Sequence, residues 1–217
     1  MEKNTVITIS REYRSGGRQI GRRLAEYLDI GYYDKKILEA AAGELGLSPE
    51  FFTDSNMNAA GLFSIGVPGL GLSGLTDLSV NARVIEKATE LMTRIARTES
   101  AVFVGRAADA VLDPGIRKIT VFIRQDFDQR VEACMREEGL SRRKARLRVR
   151  EMDDKRRNFV RFAGKEGWGQ PEQYDVVLDM SRISEDQAME TLARLFDEKQ
   201  GYETLKGGYL NQYDHYA

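Results

Sequence analysis

Several features that define whole classes of protein are scarce in this sequence of 217 residues. Its one cysteine, Cys134, cannot form an internal disulfide, which is typical of a protein from a reducing compartment. Its one histidine, His215, lies near the end of the chain, which disfavours a histidine-centred metal site or catalytic triad. Because 33 basic residues are balanced by 34 acidic ones, no net charge draws the chain to nucleic acid or to a membrane.

Long apolar runs are also missing. The longest, residues 61–75, is interrupted by several glycines and by Pro68, and is too irregular to cross a bilayer as a helix. The chain does not open with a cationic segment followed by an apolar core, so we expect no secretory signal. With 41% hydrophobic and 31% charged residues, the composition is that of a soluble globular protein with one core. We therefore expect a cytoplasmic protein.

Short apolar runs alternate with helical patterns along the chain, which predicts an α/β fold with a parallel sheet between helices. The predicted strands are residues 6–9, 101–104, 118–123 and 175–178, with 31–34 as a weaker candidate. The predicted helices are residues 18–28, 35–43, 81–98, 126–138, 141–162 and 185–199. Two segments interrupt the alternation. The glycine-rich residues 45–79 are either a poorly ordered loop or a substrate-covering insertion, and the tail 201–217 is either a frayed end or a strap.

The first strand leads into a loop with two glycines, Gly16 and Gly17, and then into a helix. In such an arrangement backbone N–H groups at the helix N-terminus converge on a phosphate, although a simple strand-to-helix turn is the alternative. The standard pattern G-x-x-x-x-G-K-[ST] is absent. If Gly16 is its second glycine, Arg11 replaces the first. Gly17 then replaces the lysine, and Arg18 replaces the Ser/Thr.

Residues 142–161 form a strongly basic segment with helical periodicity. The segment could be a solvated helix face, or a nucleic-acid contact, which the balanced overall charge and the lack of interleaved aromatics disfavour. A third interpretation is that its cations neutralise charge on transferred phosphoryl oxygens. By their spacing, Asp154, Arg157 and Arg161 share one face of the helix.

Six short motifs occur in order along nearly the whole chain. They are residues 7–18, Tyr33-Asp34-Lys35, the helix with Arg83, Val104-Gly105-Arg106, residues 154–157, and residues 167–169 with 174–175. Together they resemble the motifs of the cytidylate kinase-like family, relatives of bacterial cytidylate kinase within the nucleoside monophosphate kinases. There they correspond to the phosphate loop, a tyrosine–aspartate motif, two arginine sites for the monophosphate, and the lid with the segment before the last strand.

The resemblance implies a three-layer α/β/α P-loop kinase-like fold with a parallel sheet. It implies one domain, residues 1–217, with a substrate-binding insertion at about 45–80, a helical lid at about 140–170 and a tail at 201–217. The implied reaction transfers the γ-phosphoryl group of ATP to CMP or dCMP, with Mg²⁺ held largely by nucleotide phosphates. Small nucleotides are then the expected partners, with no nucleic acid or membrane, and the oligomeric state stays open.

The resemblance also implies roles for individual side chains. Backbone amides of the loop would hold the donor, and the nucleotide-binding residues are Arg14, Ser15, Gly16, Gly17, Arg18 and Gln19. Arg18 is the candidate to replace the lysine, with Arg14 as its rival. Catalysis in such sites is mostly positioning and electrostatic stabilisation, so no general base is required.

For the acceptor, the resemblance implies that Arg83 and Arg106 clamp its phosphate, since a guanidinium binds phosphate bidentately. Asp34 would orient the acceptor or a neighbouring arginine, although it could also cap the helix at 35–43. The lid would close over the donor with three cations, Lys155, Arg157 and Arg161. Away from the site, we interpret Trp168 as a packing anchor and Cys134 as a small core residue.

Departures from the family pattern leave several functions open. The loop lysine and the Ser/Thr for Mg²⁺ are missing, and position 14, usually glycine in the family, is Arg14. Ala107 stands where cytidylate kinases carry aspartate, and Phe159 where they carry a lid arginine. A nucleotide-binding regulator without turnover is therefore a second interpretation, and a kinase for another small acceptor is a third. Nucleic-acid binding through residues 142–161 is a fourth, and it predicts a steep salt dependence.

Overall fold

The computed structural model describes the backbone of residues 4–46 and 73–200 and the side chains of residues 4–46 and 82–200. The tail at 201–217 and most of the predicted insertion at 45–80 lie outside the described residues. The division of the chain into one domain with an insertion and a tail therefore stays a prediction. Among the described helices, none is long and apolar enough to cross a membrane.

Within the described residues, five parallel strands form one sheet in the order β2-β3-β1-β4-β5. They are β1 (Val6–Arg11), β2 (Gly31–Tyr33), β3 (Ala101–Val104), β4 (Lys118–Arg124) and β5 (Val176–Asp179). The central strand β1 is paired on both sides, with Val6 opposite Ala101 of β3 and Lys118 of β4. All predicted strands are confirmed, including the weak candidate at 31–34, which forms the edge strand β2.

The described part of the chain contains seven α-helices, of which six lie between strands and the last follows the final strand. They are α1 (Gly17–Leu28), α2 (Lys36–Glu44), α3 (Ser73–Thr98), α4 (Ala108–Val111), α5 (Phe127–Glu138), α6 (Arg142–Phe162) and α7 (Glu185–Gln200). The six predicted helices are all present, although α3 begins at Ser73 rather than at residue 81. Helix α4 and a 3₁₀ turn at Pro171–Gln173 were not predicted, because elements this short show no hydrophobic period.

Two apolar clusters cover the two faces of the sheet. Because successive side chains of a strand point to opposite faces, Val6 packs in one cluster and Ile7 and Ile9 in the other. The first cluster includes buried residues of α2 and α3, and the second those of α1 and α7. The predicted three-layer α/β/α architecture is therefore confirmed.

Helices α5 and α6 form a hairpin beside this core. The buried Cys134 packs with Val131, Ala145 and Val149 between the two helices, which confirms it as a small core residue. The C-terminal half of α6 continues onto the main core, where Phe159 is 7% exposed. Phe159 is therefore a packing residue at the position where cytidylate kinases carry a lid arginine. Trp168 packs edge-on against Phe122, with ring centroids 5.1 Å apart, as expected of an anchor.

Candidate functional site

The candidate site lies at the carboxyl edge of the sheet, around the end of β1. After β1 the chain forms β2 and β3, which lie on one side of β1 within the sheet. It then forms β4 and β5, which lie on the other side of β1. In parallel α/β sheets such a reversal opens a crevice in which ligands bind. The loops that follow β1, β3 and β4 meet at this crevice.

The loop between β1 and α1 has the open helix N-terminus that a phosphate site requires. Gly16 caps the helix in a left-handed conformation, φ 81°, without a side-chain hydrogen bond. The N–H of Ile20 makes the first helical bond, to the carbonyl of Gly16, at 3.0 Å. The preceding amides, those of Gly17, Arg18 and Gln19, consequently have no acceptor within the helix, as at every helix start.

Buried ion pairs fasten this loop to α5 and α6. Asp153 of α6 accepts the backbone N–H of Tyr13 at 2.6 Å and a guanidinium N–H of Arg130 at 2.6 Å. Arg130 is itself 4% exposed and lies 3.3 Å from the carboxylate of Glu12. Burial raises the pKa of Glu12, although the N–H of Gln125 and the charge of Arg130 oppose that shift. The loop is thus held by the helix that was predicted to form the lid.

Arg14 occupies a backbone conformation that favours glycine. Its φ is 64°, which explains why the family usually carries glycine there. Its guanidinium is held by Glu137 and, at 2.7 Å, by Glu138, which also accepts the hydroxyl of Tyr13 at 2.6 Å. Burial alone would raise the pKa of Glu138, but the hydrogen bonds from Tyr13, Arg14 and Cys134 lower it to about 2. Two carboxylates of α5 thus neutralise Arg14, the rival candidate to replace the lysine.

A large cleft of about 1230 Å³ opens over this loop. Its other walls come from α5, α6 and the segment after β5, for example Gln129, Arg156 and Ser184. All the predicted nucleotide-binding residues line it: Arg14, Ser15, Gly16, Gly17, Arg18 and Gln19. The side chain of Ser15 is buried and donates to the carbonyls of Glu12 and Ile123, so its hydroxyl shapes the loop.

A smaller cavity of about 60 Å³ lies on the other side of Arg11, between the ends of β1 and β3. This volume has room for several water molecules and hence for a phosphate group, but not for a nucleoside. Its apolar wall includes Phe159 and Trp168. Among the described residues, four cationic side chains and no carboxylate line it: Arg11, Arg106, Lys155 and Arg156, of which Lys155 also pairs with Glu151. This charge pattern favours an anion.

The turn after β3 places Arg106 in the smaller cavity. Gly105, Arg106 and Ala107 are consecutive left-handed residues, with φ angles of 75°, 60° and 54°. Two residues further on, the buried Asp109 accepts hydrogen bonds from Ser10, at 3.2 Å, and from Lys165, at 2.8 Å. Although Ala107 replaces the aspartate of the family, a buried carboxylate is therefore still present beside this turn.

Asp34 meets Arg18 at the edge of the large cleft. The Nε of Arg18 lies 3.8 Å from the Asp34 carboxylate, which is largely buried whereas Arg18 is about half exposed. Asp34 also accepts the N–H of Lys36 at 3.4 Å at the start of α2. Both interpretations of Asp34, as an orienter of an arginine and as a helix cap, are thus compatible with its contacts.

Four of the predicted site residues do not line either cavity: Asp34, whose contacts are given above, and Arg83, Arg157 and Arg161. Arg83 is exposed on α3. Arg157 pairs with Asp154 and lies over the ring of Trp168, 5.4 Å from its centroid, and Arg161 donates to Asn158. The pairing of Arg157 with Asp154 confirms that they share a helix face, but none of Asp154, Arg157 and Arg161 lines either cavity. Of the three predicted lid cations, only Lys155 lines one.

Two residues that sequence reasoning did not assign to the site lie at the junction of the cavities. Arg11 and Arg156 line both cavities. Arg156 donates to the backbone carbonyl of Arg11 at 3.1 Å and lies over the ring of Tyr13, 5.2 Å from its centroid. Arginine at the first glycine of the loop was a signal for Arg11. The sequence contains no such signal for Arg156, because the helical period does not distinguish it from the other basic residues of the segment.

The loop departs from the standard motif at the position that supplies a ligand for Mg²⁺. Within residues 4–46 and 82–200, no three His, Cys, Asp or Glu side chains lie together in a way that could hold a metal ion. The loop position that supplies a hydroxyl ligand in the standard motif carries the cation Arg18. That Mg²⁺ arrives bound largely to nucleotide phosphates stays a prediction.

Known proteins with similar sequences or structures include several kinases. Residues 6–182 match the model of the cytidylate kinase-like family. A cytidylate kinase from Methanopyrus kandleri is 27% identical over 199 residues, covering 89% of this chain and 94% of that protein. An uncharacterized protein from Eubacterium ventriosum superposes with a TM-score of 0.67 at 22% identity, covering 89% of this chain and 99% of that one. Shikimate kinase from Bacteroides thetaiotaomicron superposes with a TM-score of 0.50 at 13% identity, covering 89% and 97%.

Proposed function

The chain belongs to the cytidylate kinase-like family, and from this premise we propose that it transfers the γ-phosphoryl group of ATP to a nucleoside monophosphate, CMP or dCMP. Its family and fold are those of small-molecule kinases. The identity of the acceptor belongs to the proposal, because 27% identity to a cytidylate kinase does not fix it.

One observation supports the proposal: two cavities, one over the loop amides and one lined by cationic side chains, meet at a pair of arginines. The large cleft contains the loop amides and has the volume for a nucleoside triphosphate. The smaller cavity is cationic and has the volume for the phosphate of an acceptor. Arg11 and Arg156 line both, so a phosphoryl group passing from donor to acceptor would stay in contact with positive charge. A binding module for one nucleotide would not need the second cavity.

The proposed transfer conserves atoms and needs no proton shuttle. An oxygen of the acceptor phosphate, as an anion, forms a bond to the γ-phosphorus. The bond from that phosphorus to the β,γ-bridging oxygen breaks, and its electron pair leaves with ADP. Charge spreads over the equatorial oxygens as this happens, and fixed cations stabilise it. Mg²⁺, carried by the nucleotide, would add to this neutralisation.

The loop amides and Arg18 would bind the donor, with Asp34 holding the side chain of Arg18. Arg106 and Lys155 would bind the acceptor phosphate in the smaller cavity. Arg83, Arg157 and Arg161 could contact the nucleotides only if closure of the lid or of the insertion moved them to the cavities.

The proposal is tested by following ADP release with ATP, Mg²⁺ and a panel of nucleoside monophosphates. We expect turnover with CMP or dCMP, and an Arg106→Met variant should raise the acceptor KM at least about tenfold, because it loses a bidentate phosphate contact. Arg97→Gln is the matched control, since Arg97 is exposed on α3 and pairs with Asp113 away from the site.

Other outcomes would replace the proposal. Turnover only with acceptors other than nucleoside monophosphates would make the chain a kinase for another small molecule. Micromolar nucleotide binding without turnover on any acceptor would favour the regulator, which the missing loop lysine and the neutralised Arg14 favour. Equal losses in Arg106→Met and Arg97→Gln would remove the smaller cavity from the reaction.

A further inference from the structure

We infer that Arg11 is a catalytic residue whose guanidinium holds the transferred γ-phosphoryl group, and that it replaces the missing loop lysine from the opposite end of the loop. The inference rests on the proposed kinase function and deepens it. In the standard pattern the lysine reaches the β- and γ-phosphates. Here the lysine position is Gly17, and the first glycine position is Arg11.

Positions 11 and 17, the two positions at which the loop departs from the standard glycine and lysine, are in contact in the structure. A Cβ atom added to Gly17 would lie 2.8 Å from the Cβ of Arg11 and 3.0 Å from its Cγ. Separations below 3.0 Å are not tolerated at such atoms, and the neighbouring stem of Arg11 is fixed close to its own backbone. In this backbone conformation a side chain at position 17 would collide with the stem of Arg11, so Gly17 is the residue that accommodates Arg11. The cation has moved from one end of the loop to the other.

The guanidinium of Arg11 crosses from the end of β1 to the end of β3. A Cβ atom added to Gly105 would lie 1.9 Å from Nη1 of Arg11, so the guanidinium rests directly against the backbone of Gly105. Gly105 is left-handed, φ 75°, and its turn carries Arg106. Arg11 therefore comes close to the residue proposed to bind the acceptor phosphate.

The backbone of Arg11 is held at the junction of the two cavities. Its carbonyl accepts the guanidinium N–H of Arg156 at 3.1 Å, and its strand pairing with β4 extends to Ile123. A side chain anchored there, which lines both cavities, can contact a phosphoryl group in either of them. The planar guanidinium can also bind two phosphoryl oxygens in a fixed bidentate geometry, which the ammonium of a lysine does not provide.

Arg18 is less suited to hold the transferred group. It lines the large cleft and not the smaller cavity, and its Nε lies 3.8 Å from Asp34. We therefore assign Arg18 to the donor phosphates that stay behind on ADP, and Arg11 to the group that moves. The two assignments predict different kinetic defects, because only an interaction with the reacting group acts mainly on kcat.

The test compares Arg11→Met, Arg11→Lys and Arg18→Met, with Arg97→Gln as control, by steady-state kinetics and by titration calorimetry with ADP and a non-hydrolysable ATP analogue. Methionine keeps the Cβ and Cγ that pack beside Gly17, so the loop should stay folded. For Arg11→Met we expect kcat to fall about 100- to 1000-fold, with the affinity for ADP within about threefold of wild type. Arg11→Lys should restore part of kcat. Arg18→Met should instead weaken ADP binding.

A kcat for Arg11→Met within about threefold of wild type would overturn the inference, as would a kcat loss confined to Arg18→Met. If the wild-type chain turns over no acceptor, the proposed kinase function fails and the binding data alone test Arg11. A preference for the ATP analogue over ADP that disappears in Arg11→Met would then support its contact with the γ-phosphate. A preference that persists in Arg11→Met would overturn that contact.

Discussion

At the scale of single residues, charged side chains stabilise a loop conformation that few residues other than glycine adopt. The left-handed backbone at Arg14 costs on the order of 1–2 kcal/mol. The hydrogen bonds that Glu138 accepts from Arg14 and Tyr13 offset part of that cost. Glu138 should therefore matter more for the stability of the loop than its place on the surface helix α5 indicates.

The contribution of Glu138 should depend on pH. Its folded pKa of about 2 lies below the ordinary value of 4.5, so its stabilising effect is present above about pH 4.5 and is lost as the pH falls towards 2. At pH 7 we expect Glu138→Gln to lower the free energy of unfolding by on the order of 2 kcal/mol. Urea unfolding at pH values from 7 to 3.5 should show this difference shrinking as acid is added.

Glu137→Gln is the matched control for this experiment. Glu137 is about half exposed and pairs with the same arginine, so its loss should cost less than about 1 kcal/mol. A difference between wild type and Glu138→Gln that stays constant down to pH 3.5 would contradict the lowered pKa.

At the scale of elements, the basic helix α6 has two parts with different roles. In its N-terminal part the arginines pair with carboxylates of α5, as Arg142 and Arg146 do with Asp128 and Arg148 does with Glu138. These pairs are those of a solvated, ion-paired helix face. In the C-terminal part, Lys155 and Arg156 face the cavities. The sequence alone shows one continuous basic run, because pairing with α5 is a tertiary contact.

The contact of α6 with the phosphate loop predicts a coupling between the two elements. Asp153→Ala leaves the N–H of Tyr13 without its acceptor and removes one of the two carboxylates that face the buried cation Arg130, the other being Glu12. We expect the free energy of unfolding to fall by about 3–5 kcal/mol, as for other broken buried pairs. Donor affinity should fall too, because the loop amides lose the geometry that α6 imposes. Urea unfolding and ADP titration measure the two effects.

Asp154→Ala, on the exposed face of the same helix, is the control for Asp153→Ala. Asp154 pairs only with the exposed Arg157 in the described contacts, so its removal should change stability by less than about 1 kcal/mol. Equal destabilisation by the two variants would show that Asp153 does not anchor the loop.

At the scale of the whole molecule, the order of the strands brings the two cavities to one edge of the sheet. The large cleft lies over β1, β4 and β5, and the smaller cavity lies between β1 and β3. Loops that are distant in sequence, such as residues 12–16 and 105–107, meet there because their strands are neighbours in the sheet. A ligand that fills both cavities should therefore engage the molecule as one unit.

A compound that joins adenosine to cytidine through a polyphosphate tests this arrangement. Because the second binding step becomes intramolecular, we expect it to bind at least about 100-fold more tightly than ADP. Calorimetry and the rise in thermal midpoint measure this gain, and Arg106→Met should abolish most of it. Affinity no better than that of ADP would mean that the two cavities are not filled together.

The sequence by itself determined the layers of the fold and the location of the loop. Apolar runs of strand length alternate with amphipathic helices, and that period is local, so five strands and six helices were predicted, all close to their observed ends except the start of α3 at Ser73. The glycines of the loop were also visible, since Gly16 must adopt a conformation that few other residues tolerate. The elements that escaped prediction, such as Ala108–Val111, are too short to show a period.

Only the tertiary structure decided which cations face the site. A helix of basic residues shows its period but not its neighbours, so Arg157 and Arg161 could not be told from Arg156 in the sequence. In the sequence, Arg11 and Gly17 appear as two separate departures from the standard motif. Their contact is not visible there, because the two residues are six positions apart in a loop and not in a helix or strand with a regular period. Side chains from β1, β3 and α6 converge because the sheet places their ends together, and no local pattern in the chain encodes that distance.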